Sequence, residues 1–278
     1  MIDAHHHLWD PSRRDYPWMS GAALTPIRRP YGLPELRAAT SATGTVLVQT
    51  VSSVEETREF LRTALESDGL IKGVVGWVDL TAPDVADVLA ELREGPGGDL
   101  LVGVRHQVQD EPDDDWLTRP DVVRGLHAVA SAGLAYDLLV LVHQLKAARQ
   151  VVADLPDARF VLDHAAKPPV ASGLMEPWAT GIEGLADFDN VTCKISGLVT
   201  EASWTDWTPG QLQPYVEHVL EYFGAERVMF GSDWPVCLLA ATYGEVVETT
   251  KDFTSGLSGD EQSYIYESTA QKVYRLTP

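Results

Sequence analysis

Residues that could carry out chemistry are concentrated near the two ends of this 278-residue chain. Close to the amino terminus, His5 and His7 are separated by one residue after an apolar start. In an extended strand the side chains alternate between faces, so these two imidazoles point the same way and His6 points the opposite way. Two converging imidazoles can bind a metal ion or activate a polar substrate. Runs of three histidines also occur in exposed turns and in tags, so the meaning of this run depends on the rest of the chain.

The second segment lies more than two hundred residues later and presents an aspartate. Residues 227–230 are predicted to form a strand that stops at Gly231, and Asp233 follows closely. A carboxylate at one strand end and a histidine pair at another are complementary parts of a hydrolytic site. We therefore expect His5, His7 and Asp233 to meet around one water molecule at the mouth of a closed ring of strands.

The sequence predicts eight strands that could position these groups. Short runs rich in valine, leucine and isoleucine recur along the chain, as is typical of strands buried on both faces of a parallel sheet. Amphipathic segments with helix-start signals separate them, for example the capping-box pattern that begins at Ser53. This alternation predicts an α/β fold with a (β/α)8 TIM barrel, in a single domain over residues 1–278. The predicted strands are residues 2–5, 45–50, 73–78, 100–108, 135–142, 159–164, 191–196 and 227–231.

An open doubly wound sheet is the alternative architecture for the same alternation. That fold normally carries a glycine-rich phosphate-binding turn after its first strand, whereas histidines stand there in this chain. Residues 13–34 show little periodicity, and we expect them to form a long loop over the site.

The composition excludes several classes of partner. The formal net charge of −20 repels phosphate backbones and anionic lipid, so neither nucleic acid nor a membrane surface is an expected partner. No apolar run approaches the roughly 18 residues of a membrane span. Two distant cysteines, Cys193 and Cys237, and the lack of a signal-peptide pattern predict a cytoplasmic protein with reduced thiols. The expected partner is a small-molecule substrate, and assembly into a homo-oligomer is a possibility that stays open.

Further polar residues recur at the predicted carboxyl ends of the strands, where barrel enzymes carry their reactive groups. Arg105 and His106 end the fourth strand, His164 the sixth, and Lys194 lies on the seventh. Each has a simpler interpretation, because Asp163 could orient a structural histidine and the cations could pair with carboxylates at the barrel mouth. Their recurrence at one end of several strands favours a shared site.

Six sequence blocks together resemble the amidohydrolase superfamily, of the amidohydrolase 2 type, and more narrowly its lactonase branch. That branch includes sugar lactonases such as L-fuconolactonase and L-rhamnonolactonase, and also pyrone-dicarboxylate lactonase. The histidine pair alone is a loose motif, whereas all six blocks in order are specific. The blocks are DAHHHLWDP at 3–11, GVRH at 103–106, QDEP at 109–112, LDHAAKP at 162–168, KISGL at 194–198 and FGSDWP at 230–235.

The resemblance implies a distorted barrel that hydrolyses a cyclic ester. In the superfamily a histidine pair, a later histidine and a last-strand aspartate gather around a divalent ion, and the matching positions here are His5, His7, His164 and Asp233. Binuclear members carry a bridging lysine or glutamate where this chain has Arg105, and some lactonases work without metal. The resemblance therefore implies one divalent metal, with zinc preferred, or metal-free catalysis.

Our main hypothesis is the opening of a small lactone, such as the sugar aldonolactone L-fuconolactone. Asp233 takes a proton from water as general base, and the imidazoles and cations stabilise the oxyanion, with or without zinc. Asp233 or His164 then protonates the leaving ring oxygen, which makes these two the predicted catalytic residues. The predicted substrate-binding residues are Trp9, Arg105, His106, Tyr136, Lys167, Lys194 and Trp234.

Two other hypotheses stay open at this point. The superfamily resemblance also allows a metal-dependent decarboxylase with a similar ligand set. A non-catalytic binding protein on a barrel scaffold would be expected to lack part of that set, yet all four positions are filled here.

Overall fold

A computed structural model describes residues 1–277 and contains one eight-stranded sheet. Neighbouring strands pair in parallel, in the order in which they occur along the chain. The prediction of a (β/α)8 TIM barrel is confirmed, and the open doubly wound alternative is wrong. The strands are β1 Ile2–His6, β2 Gly44–Val48, β3 Ile71–Gly76, β4 Leu101–His106, β5 Ala135–Leu138, β6 Arg159–Leu162, β7 Val191–Ile195 and β8 Val228–Phe230.

The barrel closes between its first and last strands through residues that follow β8. The His7 N–H donates to the Trp234 carbonyl oxygen at 2.7 Å, and the Asp233 N–H donates to the His5 carbonyl oxygen at 2.8 Å. An isolated parallel bridge joins His6 to Trp234. This closure makes the barrel irregular, and it brings together the two chain segments in which the sequence concentrates its chemistry.

Helices follow the strands, and their starts obey local chemistry. Ser53 caps α2 by accepting the Glu56 N–H at 3.2 Å, as the capping-box pattern predicts. Within residues 1–277 no helix combines the length and apolarity needed to cross a bilayer. The helices are α1 Leu33–Ala39, α2 Val54–Leu65, α3 Val85–Glu94, α4 Pro120–Ser131, α5 Leu145–Asp154, α6 Trp178–Ala186, α7 Leu198–Glu201, α8 Pro209–Phe223, α9 Tyr243–Thr254, α10 Gly259–Ser263 and α11 Thr269–Tyr274.

The predicted long loop after β1 contains short turns of its own. It has 3-10 turns at Pro17–Met19 and Ala22–Ile27, and its end overlaps α1, which begins at Leu33. Glu35 accepts the Gly32 N–H at 2.9 Å and so satisfies one free amide at the start of that helix.

The last helix packs against the amino-terminal half of the barrel. Ala270, Val273 and Tyr274 of α11 form an apolar cluster with strand residues such as Val75 and Val102. A Cβ added at Gly103 would lie 3.5 Å from the Tyr274 ring, so β4 comes close to this helix. The amino-terminal end of the barrel is therefore filled, and open space for a ligand inside the strand ring is left at the carboxyl end.

Candidate active site

β1 delivers two imidazoles to one point. His5 Nε2 and His7 Nε2 are 3.2 Å apart, and both side chains are buried. His6 points elsewhere, with its Nε2 2.9 Å from Thr45 Oγ1. The alternation of side chains along the first strand therefore occurs as predicted.

Hydrogen bonds behind the two imidazoles fix which nitrogen faces forward. His7 Nδ1 lies 2.8 Å from the Val48 carbonyl oxygen, which can only accept, so Nδ1 carries a proton, and in the neutral ring Nε2 then presents a lone pair. His5 Nδ1 lies 3.3 Å from Asp163 Oδ1, and Arg105 Nη1 lies 3.3 Å from His5 Nε2. Both neighbours favour a proton on His5 Nδ1, whereas the Lys194 ammonium, 3.2 Å from the same Nδ1, can only donate and favours the opposite tautomer. Carboxylates and carbonyls that orient metal-binding histidines do so in this way.

Asp233 lies opposite these lone pairs. Its Oδ1 is 3.4 Å from His7 Nε2 and 3.8 Å from His5 Nε2. Burial raises the pKa of Asp233, but the imidazoles of His164 and His7 outweigh burial, and the pKa is lowered overall. Its backbone is left-handed with φ of 55°, a conformation that costs energy in residues other than glycine and that clusters at functional sites.

His164 completes the group from the end of β6. It also has a left-handed backbone, with φ of 52°, and its Nδ1 lies 2.9 Å from Ser196 Oγ. A Cβ added at Gly197 would lie 2.7 Å from His164 Nδ1 and 3.1 Å from Asp233 Oδ2. Gly197 itself has φ of +66°. Only glycine satisfies both the backbone angle and the close approach, so this turn after β7 sets how near the two side chains come.

The donor atoms of this group suit a divalent cation. One ligand atom each from His5, His164 and Asp233 lies within 4.8 Å of the others. Burial lowers the pKa of His164 to about 4 and that of His5 well below its ordinary value, so both imidazoles are neutral at pH 7. Neutral imidazoles with one carboxylate form a typical zinc donor set, and acceptors that face one another need a cation or a proton between them. The residues present therefore fit one divalent ion.

A buried charge network supports these residues from below; it consists of Arg105, Asp137, Asp163, Lys194 and Tyr274. Lys194 Nζ lies 2.6 Å from Asp137 Oδ2 and 2.9 Å from Asp163 Oδ1. Arg105 Nη1 donates to Asp163 Oδ2 at 3.0 Å, and the Tyr274 hydroxyl donates to Asp137 Oδ2 at 2.7 Å. Burial raises the pKa of Asp163, but Lys194 and the other nearby cationic and imidazole groups hold it well below its usual range. Each buried charge thus has an opposite partner.

A cavity of about 230 Å³ opens beside the histidines, and we call it the active cavity. It is smaller than the roughly 300–1,000 Å³ of typical ligand pockets, which suits a ligand of one small ring. Trp18 and Leu24 from the long loop after β1 also line it, so that loop covers the site as predicted. The lining residues able to take part in chemistry are His7, Arg105, His164, Lys167, Glu201 and Asp233.

Two predicted substrate-binding residues lie beneath this cavity, and three others lie to its side. Lys194 and Tyr136 are almost completely buried and do not line it. Trp9, His106 and Trp234 do not line the cavity because their side chains contact other residues. The Trp9 indole donates to the Ile27 carbonyl oxygen, the His106 ring stacks on Trp116, and Trp234 packs edge-on against Tyr31. His5 lies just behind His7 and Asp233. The structure thus brings five predicted residues to the cavity wall, namely His7, Arg105, Lys167, His164 and Asp233.

Glu201 is a cavity residue that the sequence motifs did not reveal. It ends α7, and its Oε1 lies 3.8 Å from Lys167 Nζ. Burial raises the pKa of Glu201, and the Lys167 ammonium opposes that rise. Its position shortly after the KISGL block is the only signal in the sequence that could have pointed to it.

Comparison with known proteins gives the family. A family model described as amidohydrolase matches residues 2–276. An L-fucono-1,5-lactonase from Burkholderia ambifaria is 38% identical over 251 residues, which cover 88% of this chain and 83% of that protein. An L-fucono-1,5-lactonase from Burkholderia multivorans is 37% identical, and the match covers 99% of this chain and 96% of that protein.

Solved structures agree with these matches. A crystal structure of an amidohydrolase from Burkholderia multivorans with bound zinc superposes with a TM-score of 0.92 at 36% identity, over 99% of each chain. Decarboxylases share the fold at 11–14% identity, a likeness that shows the fold alone. The prediction of a hydrolytic enzyme of the lactonase branch is confirmed over the decarboxylase and the non-catalytic binding protein. The chain belongs to the amidohydrolase family.

Proposed function

We propose that this chain hydrolyses the ring ester of a neutral sugar lactone, and that L-fucono-1,5-lactone is a substrate. The observation that carries the proposal is the Asp233 carboxylate facing the lone pairs of His5 and His7 at the wall of a small cavity. The relatives named L-fucono-1,5-lactonase, at 37–38% identity, support the choice of lactone.

The charges around the active cavity favour a neutral substrate. Lys167 lies near Glu201, at 3.8 Å between Nζ and Oε1, and Arg105 is paired with Asp163 at 3.0 Å. Among residues 1–277, no cation of the cavity wall is left without an acidic neighbour. A carboxylate on the substrate would face Asp233 and Glu201, while both cationic side chains of the wall already have acidic neighbours. This balance argues against dicarboxylate lactones and against the benzoate-type acids of decarboxylases.

In the proposed reaction Asp233 takes a proton from water as the water oxygen adds to the ring carbonyl. Arg105 and His164, which line the same cavity, stabilise the negative oxygen that develops. The bond between the carbonyl carbon and the ring oxygen then breaks, and Asp233 returns the proton to the leaving oxygen. A divalent ion held by His5, His164 and Asp233 would supply Lewis-acid stabilisation of the same oxyanion.

The reaction class is tested by following two products in parallel. With L-fucono-1,5-lactone we expect saturable acid release, measured with a pH indicator against spontaneous hydrolysis. With benzoate-type acids such as 5-carboxyvanillate we expect no change in the ultraviolet absorbance of the aromatic ring, and therefore no loss of the carboxyl group. Carbon dioxide release without lactone opening would contradict the proposal and favour the decarboxylase.

We further propose that the purified protein holds one divalent ion, zinc, at His5, His7, His164 and Asp233. Elemental analysis is expected to give about one equivalent per chain, because the donor set has one cluster with zinc-type chemistry. A His164→Ala variant should lose most of it, whereas His218→Ala, on α8 away from the active cavity, should not. An equal metal content in both variants would contradict the assignment.

Location in the cytoplasm and assembly into a homo-oligomer stay predictions.

Glu201 and Lys167 are proposed to bind the hydroxyl groups of the sugar ring, one as acceptor and one as donor. Glu201→Gln is expected to raise KM for L-fucono-1,5-lactone about tenfold with little change in kcat, because it weakens binding of substrate and transition state alike. It should also strengthen inhibition by a small carboxylate, since Lys167 loses its acidic neighbour. Glu94→Gln, at an exposed site on α3, is the control. An unchanged KM in Glu201→Gln would contradict this role.

A further inference from the structure

A second cavity, of about 530 Å³, opens at the end of the barrel opposite to the active cavity. We call it the basal cavity. Arg159 is the first residue of β6, Thr192 is the second residue of β7, and Lys272 and Arg275 lie at the end of α11. Since parallel strands all begin at one end of the barrel, these residues lie at its amino-terminal end. The apolar cluster around α11 and the buried charge network separate the two cavities.

Three cations in this cavity have no acidic partner within the described residues 1–277. Arg159, Lys272 and Arg275 form no ion pair with any of residues 1–277. Two exposed acids, Asp189 and Glu226, also line the cavity, but neither reaches ion-pair distance of the three. Cations without an ion pair are common among residues 1–277, and the distinctive feature here is that three of them line one cavity in a chain with a net charge of −20.

The fourth basic residue of the cavity, Arg227, differs from the other three because its hydrogen-bond donors are used within the fold. Arg227 donates to the carbonyl oxygens of Phe223, Ala186, Phe188 and Tyr222, and its donors are therefore used within the fold. Arg159 is different: Nη2 donates to the Gly133 carbonyl oxygen at 2.5 Å, but Nε is buried and has no hydrogen-bond partner among residues 1–277. A buried donor of this kind is costly unless an acceptor reaches it.

The two arginines also act on each other. Burial and the charge of Arg275 lower the pKa of Arg159, which places two like charges near one space. Arg275 itself ends α11 with a left-handed backbone at φ of 52°, and its Nη1 lies beside Gly133, the residue whose carbonyl oxygen binds Arg159. The guanidinium groups therefore converge instead of dispersing into solvent. An anion between them would remove the repulsion.

We propose that the basal cavity binds a phosphate group, either as inorganic phosphate or on a small phosphomonoester. Guanidinium groups match the spacing of phosphate oxygens, and the Lys272 ammonium adds a third positive charge. A phosphate has acceptors enough for the guanidinium groups of Arg159 and Arg275 together. The site lies away from the residues proposed for lactone hydrolysis, so its occupancy is independent of the proposed function.

Isothermal titration of the full chain with inorganic phosphate tests this site. The unmodified protein is expected to bind one phosphate with Kd below about 1 mM. Lys272→Gln combined with Arg275→Asn should weaken binding at least about tenfold. Asparagine is chosen because it tolerates the left-handed backbone. The matched control is Lys146→Gln with Lys251→Gln, which removes the same charge from exposed positions on α5 and α9 and should leave Kd unchanged.

A single variant at Arg159 tests the phosphate site if the double variant is unstable. Arg159→Lys retains the charge but removes the planar guanidinium group, and it should weaken phosphate binding while the rate of lactone opening stays at the level of the unmodified protein. Glycerol phosphate in place of inorganic phosphate shows which source binds more tightly. No heat of binding with either ligand, or equal affinity in the unmodified and double-variant proteins, would overturn the proposal.

Discussion

Asp233→Asn is expected to lower kcat for the opening of L-fucono-1,5-lactone by about 10²–10⁴-fold, the usual contribution of a general base. Asparagine keeps the size of the side chain and its contacts near His7, but it cannot take a proton from water. The Asp233 N–H bond to the His5 carbonyl oxygen belongs to the backbone and is retained. Initial rates of acid release, measured across substrate concentrations, separate the loss in kcat from any change in KM.

The control for this variant is Asp79→Asn, which makes the same chemical change at an exposed aspartate after β3. Its kcat should stay within a factor of about two, since surface substitutions rarely disturb a distant site. Turnover by Asp233→Asn close to that of the unmodified protein would show that another group takes the proton. The imidazoles of His7 and His164 would then be the groups to examine.

Lys194→Met is expected to lower the free energy of unfolding by about 3–5 kcal/mol, the usual cost of breaking a buried ion pair. The ammonium lies within 2.9 Å of carboxylate oxygens from both Asp137 and Asp163, and all three side chains are fully buried. Methionine fills a similar volume but leaves two carboxyl groups facing each other. Equilibrium unfolding in urea, followed by far-ultraviolet circular dichroism, measures the loss.

A double variant tests whether the cost arises from the uncompensated carboxylate. Lys194→Met with Asp137→Asn removes one charge of each sign, so its loss should be smaller than the sum of the two single losses by about 1–3 kcal/mol. Strict additivity would contradict an ion pair between the two residues. A loss below about 1 kcal/mol in Lys194→Met alone would indicate that the lysine is neutral in the folded protein.

The barrel could be predicted from the sequence because each strand is a short run of buried aliphatic residues. The fifth strand was predicted to extend to residue 142, but β5 ends at Leu138. Beyond it, Gln144 accepts the Leu141 N–H and donates to the Val108 carbonyl oxygen, and these bonds turn the chain away from the sheet. The apolar run continues, so periodicity alone could not show where the turn begins.

The site residues that strand geometry positions could be predicted from the sequence. Alternation along β1 placed His5 and His7 together, and the strand-end rule added His164 and Asp233. Partner choice was not predictable, because the sequence does not show that Lys194 meets Asp137 across the barrel, 57 residues away.

The positions of loop residues also could not be predicted from a single sequence. Glu201 reaches the active cavity because the four-residue helix α7 follows the left-handed Gly197. His106, next to Arg105, points to the other face of β4, where it stacks on Trp116 and lies 2.7 Å from Glu111 Oε1. Alternation in β4 excludes both neighbours from facing one cavity, and the sequence motifs alone do not show which of the two does.

The charges around the active cavity are proposed to select a neutral lactone, which is opened at Asp233. The most direct measurement is the ratio of kcat/KM for L-fucono-1,5-lactone to kcat/KM for 2-pyrone-4,6-dicarboxylate, obtained with one enzyme preparation. We predict a ratio of at least about 10³, because two substrate carboxylates would approach Asp233 and Glu201 while the side chains of Arg105 and Lys167 are already paired, which costs several kcal/mol. A ratio near one, or one that favours the dicarboxylate, would contradict the account.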